Sequence, residues 1–309
     1  MRVVFLGSGS FAIPSLEALL EAGHEVAAVV TQPDREKGRG LALSPPPLKP
    51  AAAARGLKIL QPRRVREPEA VAALKALAPD VQVVVAYGQI LPRSVIDVAP
   101  RGTVNVHASL LPRYRGAAPV QWAIVNGETE TGVTTMLIDE GLDTGPVLLA
   151  EATPIGAEET ADVLEARLAV MGGALLARTL QGLEAGAIAP RAQDATRATL
   201  APLIKKEDGL IDWNVRAEAL ARRVRGFHPW PGAHTLIRGH GLRVLRARAE
   251  ADRAGPPGTL LAVERDGLVV ASGEGTALRL VEVQAESRKP MPAAAFAAGA
   301  RLTPGEPLG

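Results

Sequence analysis

Cysteine is absent from the 309-residue chain, which excludes disulfides and thiolate metal sites and fits a reducing compartment. No stretch approaches the ~20 consecutive apolar residues that cross a bilayer. Residues 1–7 carry one charge and a short apolar run ended by glycine, too little for the core of a secretion signal, so a cytoplasmic location is expected. A global excess of charge is missing too. The formal net charge is +2, which excludes a uniformly basic nucleic-acid binder. Amides are few, 3 Asn and 8 Gln, and the cationic residues are 28 Arg against 7 Lys. With 25 Pro, this composition suits a thermophilic and a GC-rich source equally. What remains, 47% hydrophobic and 22% charged residues, is the make-up of a globular protein, long enough for one large or two moderate domains.

Strand and helix signals alternate through the first half. Residues 2–7 (RVVFLG) are an apolar run stopped by glycine, as a buried parallel strand requires. Ser10 is expected to cap a helix that runs to about Ala22 and holds Pro14 in its first turn. Further strands are expected at 25–31, 58–60, 81–86 and 103–107, with helices near 67–77 and 92–96. This pattern predicts an α/β fold, a Rossmann-like doubly wound parallel sheet. Residues 33–50 (PDREKGRGLALSPPPLKP) interrupt it with a charged, proline-rich loop of the length that is usually functional or disordered. Residues 109–119 are a second interruption. A long amphipathic helix is expected from 160 to about 183, then a polar, aperiodic connection. A short helix near 215–225 and five strand-like segments (233–237, 243–249, 258–263, 267–271 and 277–283) predict a small C-terminal β-barrel, closed or partly open. The expected division is a larger domain over 1–188, a linker over 189–205 and a C-terminal domain over 206–309.

The most informative segment is Thr103-Val-Asn-Val-His107. Strand alternation puts Asn105 and His107 on one face and the valines on the other. The polar pair then sits at the carboxyl end of a strand, where open α/β sheets bind ligands. Asp143 lies in a glycine-flanked loop (DEGLDTG, 139–145) between two strand-like runs. From there a carboxylate could reach His107, favour its protonated form and make it a proton donor or acceptor. Taken singly, a histidine at a strand end is more often a hydrogen-bonded structural residue, and an aspartate in a glycine loop is more often a turn former. Residues 7–12 (GSGSFA) carry glycines after the first strand, but no acidic residue ends the second strand (VVTQ, 29–32) to meet a dinucleotide ribose. A tight strand-to-helix turn is therefore expected there.

The run NVHASLLPRYRGAAP over 105–119 closely resembles the signature of the 10-formyltetrahydrofolate-dependent formyltransferases, and DEGLDTG is similar to that family's second motif. The resemblance extends through the whole chain and implies that the C-terminal barrel is OB-like. It implies catalysis by Asn105, His107 and Asp143, and a folate site lined by Ser109, Leu110, Leu111 and Pro112. Tyr87, Gly88 and Gln89 would lie beside the pterin, mostly through backbone. It implies 10-formyltetrahydrofolate as co-substrate, and no metal. Chemically, protonated His107 and the Asn105 amide would donate to the oxygen that gains charge as an amine attacks the formyl carbon. Asp143 would orient His107 and position a water that moves the proton.

Residues 31–40 (TQPDREKGRG) resemble a loop inserted in the branch that formylates methionine esterified to initiator tRNA. That implies tRNA contacts by Arg35, Lys37 and above all Arg39. The flanking Gly38 and Gly40 suggest a loop that orders on RNA. Between Arg216 and Arg248 there are eight arginines and one acid, which could be a phosphate-tracking face or a solvated face with internal pairs. The resemblance favours the first, and a monomer is expected. The competing acceptors are glycinamide ribonucleotide and an amino-sugar nucleotide. Against the first stand the weak phosphate cradle at Ser10-Phe11-Ala12 and the second domain; against the second stands the basic loop. A nonenzymatic RNA-binding protein is the alternative of another class, and the intact Asn105, His107 and Asp143 argue against it.

Overall fold

The computed structural model describes residues 1–37 and 42–309. The chain divides into two compact units. The first comprises Met1–Gly116, Glu130–Pro154 and Glu165–Ala201; the second comprises Ala117–Thr129, Ile155–Leu164 and Pro202–Gly309.

The first unit is built on a sheet whose strands lie side by side in the order Val147–Pro154, Glu130–Leu137, Thr103–His107, Val81–Val85, Arg2–Gly7, Glu25–Val30, Ile59–Leu60. From Thr103–His107 to Ile59–Leu60 the strands are parallel. Val81–Val85 and most of Arg2–Gly7 are buried, because helices cover both faces of such a sheet and its strands must be apolar throughout. One face packs Val4, Leu6, Val30, Val84 and Tyr87 against Val71 and Leu74 of the helix Pro68–Ala76. The expectation of a wholly parallel sheet is corrected at the other edge. Glu130–Leu137 runs antiparallel to Thr103–His107, and Val147–Pro154 runs antiparallel to Glu130–Leu137. Parallel neighbours need a crossover of a dozen or more residues. Residues 138–146, which hold the glycine loop, are too few, so the two strands form a hairpin.

One local expectation changes as well. Ser10 does not cap a helix: it starts a single 3₁₀ turn, and the α-helix Ile13–Glu21 follows from Ala12, with Pro14 in its first turn. The glycine segment is a tight turn. A Cβ at Gly7 would stand 2.9 Å from the Val85 carbonyl oxygen, so the backbone there admits no side chain. Residues 33–50 contain a short antiparallel pair, Arg35–Lys37 with Ala42–Ser44, and the helix Leu48–Ala53. Asp34 ties the start of this loop to Lys49 Nζ at 2.7 Å and to Gln61 at 2.7 Å. Those bonds hold its carboxyl below the usual range, the Lys49 bond most. Gly38, Arg39 and Gly40, which carry the expectation of ordering on RNA, lie outside the described residues.

The side chain of Tyr87 belongs to the core. It is 2% exposed, and among the described residues its hydroxyl has no hydrogen-bond partner. Burial pushes its ionisation up to about 12. An unpaired buried hydroxyl costs about 1–3 kcal/mol, so Tyr87→Phe is expected to leave Tm unchanged or raise it by about 2–4 °C. Calorimetry checks this, and a clear fall in Tm would reveal a partner for the hydroxyl.

The second unit contains an antiparallel sheet in the order His234–Ile237, His240–Glu250, Ala277–Ala285, Gly267–Ala271, Leu260–Glu264. These are the five segments expected from sequence. Ala217–Gly226 buries Leu220 and Val224 in its core. Pro119–Val125 places Trp122 edge-on to Phe227, with ring centroids 5.9 Å apart.

Candidate active site

The strand Thr103–His107 delivers its polar pair as alternation requires. Val104 and Val106 are buried, and Asn105 is half-buried beside Met136 of the neighbouring strand. Among the described residues no protein group hydrogen-bonds the Asn105 carboxamide, which leaves it free for a ligand. His107 is 6% exposed, and its ring is fixed from the far side, where Nε2–H donates to the Tyr114 carbonyl at 2.9 Å. A neutral ring held this way keeps its lone pair on Nδ1; a charged ring presents N–H there.

Nδ1 faces Asp143, with Oδ2 at 3.7 Å. This is close enough for electrostatic coupling and too long for a hydrogen bond. Asp143 Oδ2 instead accepts from the Gly116 N–H at 2.8 Å. Sequence reading gave Asp143 the task of orienting His107; the structure gives the ring's orientation to the Tyr114 carbonyl. Asp143 itself has φ +52°, a left-handed conformation that aspartate tolerates better than most residues. The loop around it is tightly closed. Asp139 Oδ1 accepts from Gly141 N–H and from Thr144 Oγ1–H at 3.0 and 2.6 Å, and a Cβ on Gly145 would collide with the Leu137 carbonyl.

The other expected ligand residues are placed as follows. The Ser109 hydroxyl is buried and donates to Arg113 O at 2.6 Å, while its carbonyl accepts from Thr134 Oγ1 at 2.7 Å. Its hydroxyl and carbonyl therefore shape the loop. Leu110, Leu111 and Pro112 are half-buried. The Leu111 N–H donates to Thr134 Oγ1 at 3.1 Å. The Tyr87 carbonyl accepts from Ser8 Oγ and Gln32 Nε2 at 3.1 and 3.2 Å. Gln89 spends its side chain on the backbone, accepting from Val65 N–H at 2.8 Å and donating to Arg63 O at 3.2 Å. A cavity of about 320 Å³ lies beside this turn, lined by Ser8, Gln32, Arg35, Pro46, Tyr87 and Gly88 among others. Next to it, Arg35, Arg63, Arg64 and Arg66 surround a second pocket of about 280 Å³ with Gly88 and Gln89. Sequence reading missed the last three arginines. Their spacing, three in four positions within an otherwise unperiodic stretch, was the available signal.

A further residue missed by sequence reading is Gln193, in the stretch read as a connection. It hydrogen-bonds both Arg115 and the backbone of the Asp143 loop. Nothing in hydrophobic periodicity marks such a residue. Among the described residues no group of three or more His, Asp or Glu gathers as a metal site would, and no helix is long and apolar enough to cross a membrane.

The arginines of the second unit divide between the two sequence readings. Arg216 pairs with Glu274 and Glu218, and Arg238 pairs with Glu306. Arg222 and Arg225 donate to the carbonyls of Val125 and Glu159. Burial, the largest influence on Arg225, lowers its pKa. Arg243, Arg246 and Arg248 are exposed on the strand His240–Glu250.

The chain matches two family models, formyl transferase over residues 1–180 and formyl transferase C-terminal domain over residues 203–301. It is 58% identical to the methionyl-tRNA formyltransferase of Solibacter usitatus across 100% of this chain and 99% of that one. It is 50% identical to the methionyl-tRNA formyltransferase of Geobacter sulfurreducens across 100% and 97%. Among solved structures, HypX from Aquifex aeolicus in complex with tetrahydrofolic acid shares the fold. The TM-score is 0.65 at 20% identity, over 96% of this chain and 47% of that one.

Proposed function

Because this chain belongs to the formyl transferase family, we propose that it transfers the formyl group of 10-formyltetrahydrofolate to the α-amine of methionine on initiator tRNA. One observation carries this reading. A free carboxamide at Asn105, an imidazole locked through Nε2 and a carboxylate 3.7 Å from its Nδ1 meet at the carboxyl end of the sheet, in a chain similar end to end to enzymes of that name.

The Asn105 amide and the Nδ1–H of His107 donate to the formyl oxygen as negative charge builds on it, the type of electrostatic stabilisation that costs nothing to reorganise at the moment of reaction. Asp143 faces the ring in that step and takes up the amine proton through a water on its way to N10. The bonds that change are one C–N formed to the acceptor and one C–N broken at N10. The carboxyl-end cleft offers a folate what its chemistry asks for. Backbone at Ala86, Tyr87 and Gly88 and the apolar Leu110, Leu111 and Pro112 suit a flat heterocycle. The arginines around Gly88 and Gln89 suit its carboxylates.

For the acceptor, Arg35, Lys37 and Arg39 of the inserted loop contact the tRNA, and Arg243, Arg246 and Arg248 track its phosphates. The second unit is read as an OB-like barrel. In support, the C-terminal residues bridge both edges of its sheet, Ile237 to Leu308 and Thr259 to Pro307.

The test is a direct choice of acceptor. With 10-formyltetrahydrofolate and the parent enzyme, methionyl-tRNA is expected to be formylated, and glycinamide ribonucleotide and an amino-sugar nucleotide are not. Formylation of either small amine at a higher kcat/KM than methionyl-tRNA would sink the assignment.

A further inference from the structure

The carboxamide of Gln193 is saturated. Its Oε1 accepts from Arg115 Nε at 3.1 Å and Nη2 at 2.8 Å. Its Nε2 donates to the carbonyls of Asp143 at 2.9 Å and Gly145 at 2.7 Å. A carboxamide has two donor hydrogens and two acceptor positions, so none is spare. The reverse orientation would set its NH₂ against guanidinium donors and its oxygen against two carbonyls. The two gripped carbonyls flank Thr144, in the loop where Asp143 adopts φ +52°. The partner, Arg115, sits next to Gly116, whose N–H holds the Asp143 carboxylate.

The same segment reaches the histidine. Thr199 Oγ1 accepts from Tyr114 N–H at 2.8 Å, and Thr199 O accepts from Arg115 N–H at 2.9 Å. Leu200–Ala201 pairs with Arg115–Gly116. Tyr114 is the residue whose carbonyl receives His107 Nε2–H. At the other end, Arg191 and Val147 exchange backbone hydrogen bonds of 2.8 Å. Residues 191–201 thus join the two loops on which the His107–Asp143 spacing depends, and Gln193 is the side chain that bridges them.

We propose that Gln193 is a positioning residue for formyl transfer: by clamping the Asp143 loop to Arg115 it sets the Asp143 carboxylate against His107 Nδ1. It touches none of the reacting groups of the proposed reaction and acts through Asp143, so the inference rests on that reading.

Gln193→Met removes the bonds to Arg115, Asp143 and Gly145 at nearly constant volume and adds no charge. Displacement of a catalytic group by an ångström costs about 10²-fold, and kcat is expected to fall by about 30-fold or more while KM for both substrates stays within about threefold. Gln193→Glu keeps an acceptor for Arg115 but turns oxygen toward the Asp143 and Gly145 carbonyls, so it falls at least as far. The deciding measurement is single-turnover formylation in an Asp143→Asn background, where Gln193→Met is expected to change the rate by less than about twofold. A purely structural role would multiply the two losses, and that result overturns the proposal. So does parent-like kcat in either Gln193 variant. Should the parent formylate no acceptor, it is the proposed function that fails. Should the parent be active and Gln193→Met match it, only the positioning role does.

Discussion

His107→Asn is expected to lower kcat for formyl transfer by about 10³-fold or more, with KM for the folate and for the tRNA changed by about threefold at most. The substitution is chosen for what it retains. An asparagine side chain places its terminal atoms near the position of Nδ1 and keeps volume there, but offers the formyl oxygen at best a neutral, weaker donor. What it removes is the ability to carry a proton and the Nε2–H bond to the Tyr114 carbonyl. Losing one oxyanion donor costs about 10²–10³ in kcat, and losing a general acid or base costs about 10²–10⁴. The two act in one step, so the losses do not simply multiply. Because His107 is buried, the variant also loses about 1–3 kcal/mol from the orphaned carbonyl, and thermal unfolding should be followed alongside to normalise for folded enzyme. Binding of tRNA, measured by filter retention, should be unchanged. A kcat within tenfold of the parent would show that proton transfer at this ring is not part of the chemistry.

How far the sequence exposes this site depends on the range of the contacts. Asn105 and His107 are two residues apart on a strand, and alternation alone places them together. The strand's position next to Val81–Val85 follows from βαβ succession. Asp143 lies in the loop of a hairpin whose first strand pairs with Thr103–His107, and its approach depends on the left-handed backbone at Asp143 and on the Gly116 N–H, neither of which has a periodic signature. The hairpin itself is legible: a loop as short as 138–146 between two strands cannot cross over. Ser10 shows the limit of local chemistry. It is a good capping residue, but a 3₁₀ turn moves the helix start beyond it. Gln193 shows the limit of pattern altogether. It stands in a polar, aperiodic stretch, and only the folded chain brings it to Arg115 and Asp143.

Asp143→Asn isolates charge from geometry. Asparagine is as tolerant as aspartate of the left-handed conformation observed at this position, φ +52°. Its Oδ1 can still accept from the Gly116 N–H, now held at 2.8 Å by Oδ2. The folded structure and Tm should therefore stay close to those of the parent. The variant cannot balance a charged His107 or take a proton from the attacking amine, so kcat is expected to fall by about 10²–10⁴-fold. Asp143→Ala is the contrasting substitution. It loses the Gly116 bond, leaves a half-buried N–H without its partner and strains the backbone, since alanine resists positive φ. It should lose the same activity and, in addition, about 1–3 kcal/mol of stability. Stopped-flow or quench measurement of the transfer step, paired with calorimetry, separates the two. If Asp143→Asn kept more than a third of parental kcat while Asp143→Ala lost activity and stability together, Asp143 would be a loop-shaping residue whose carboxylate charge the reaction does not use. The proton would then have to leave the amine by way of His107 Nδ1, whose Nε2–H stays committed to the Tyr114 carbonyl.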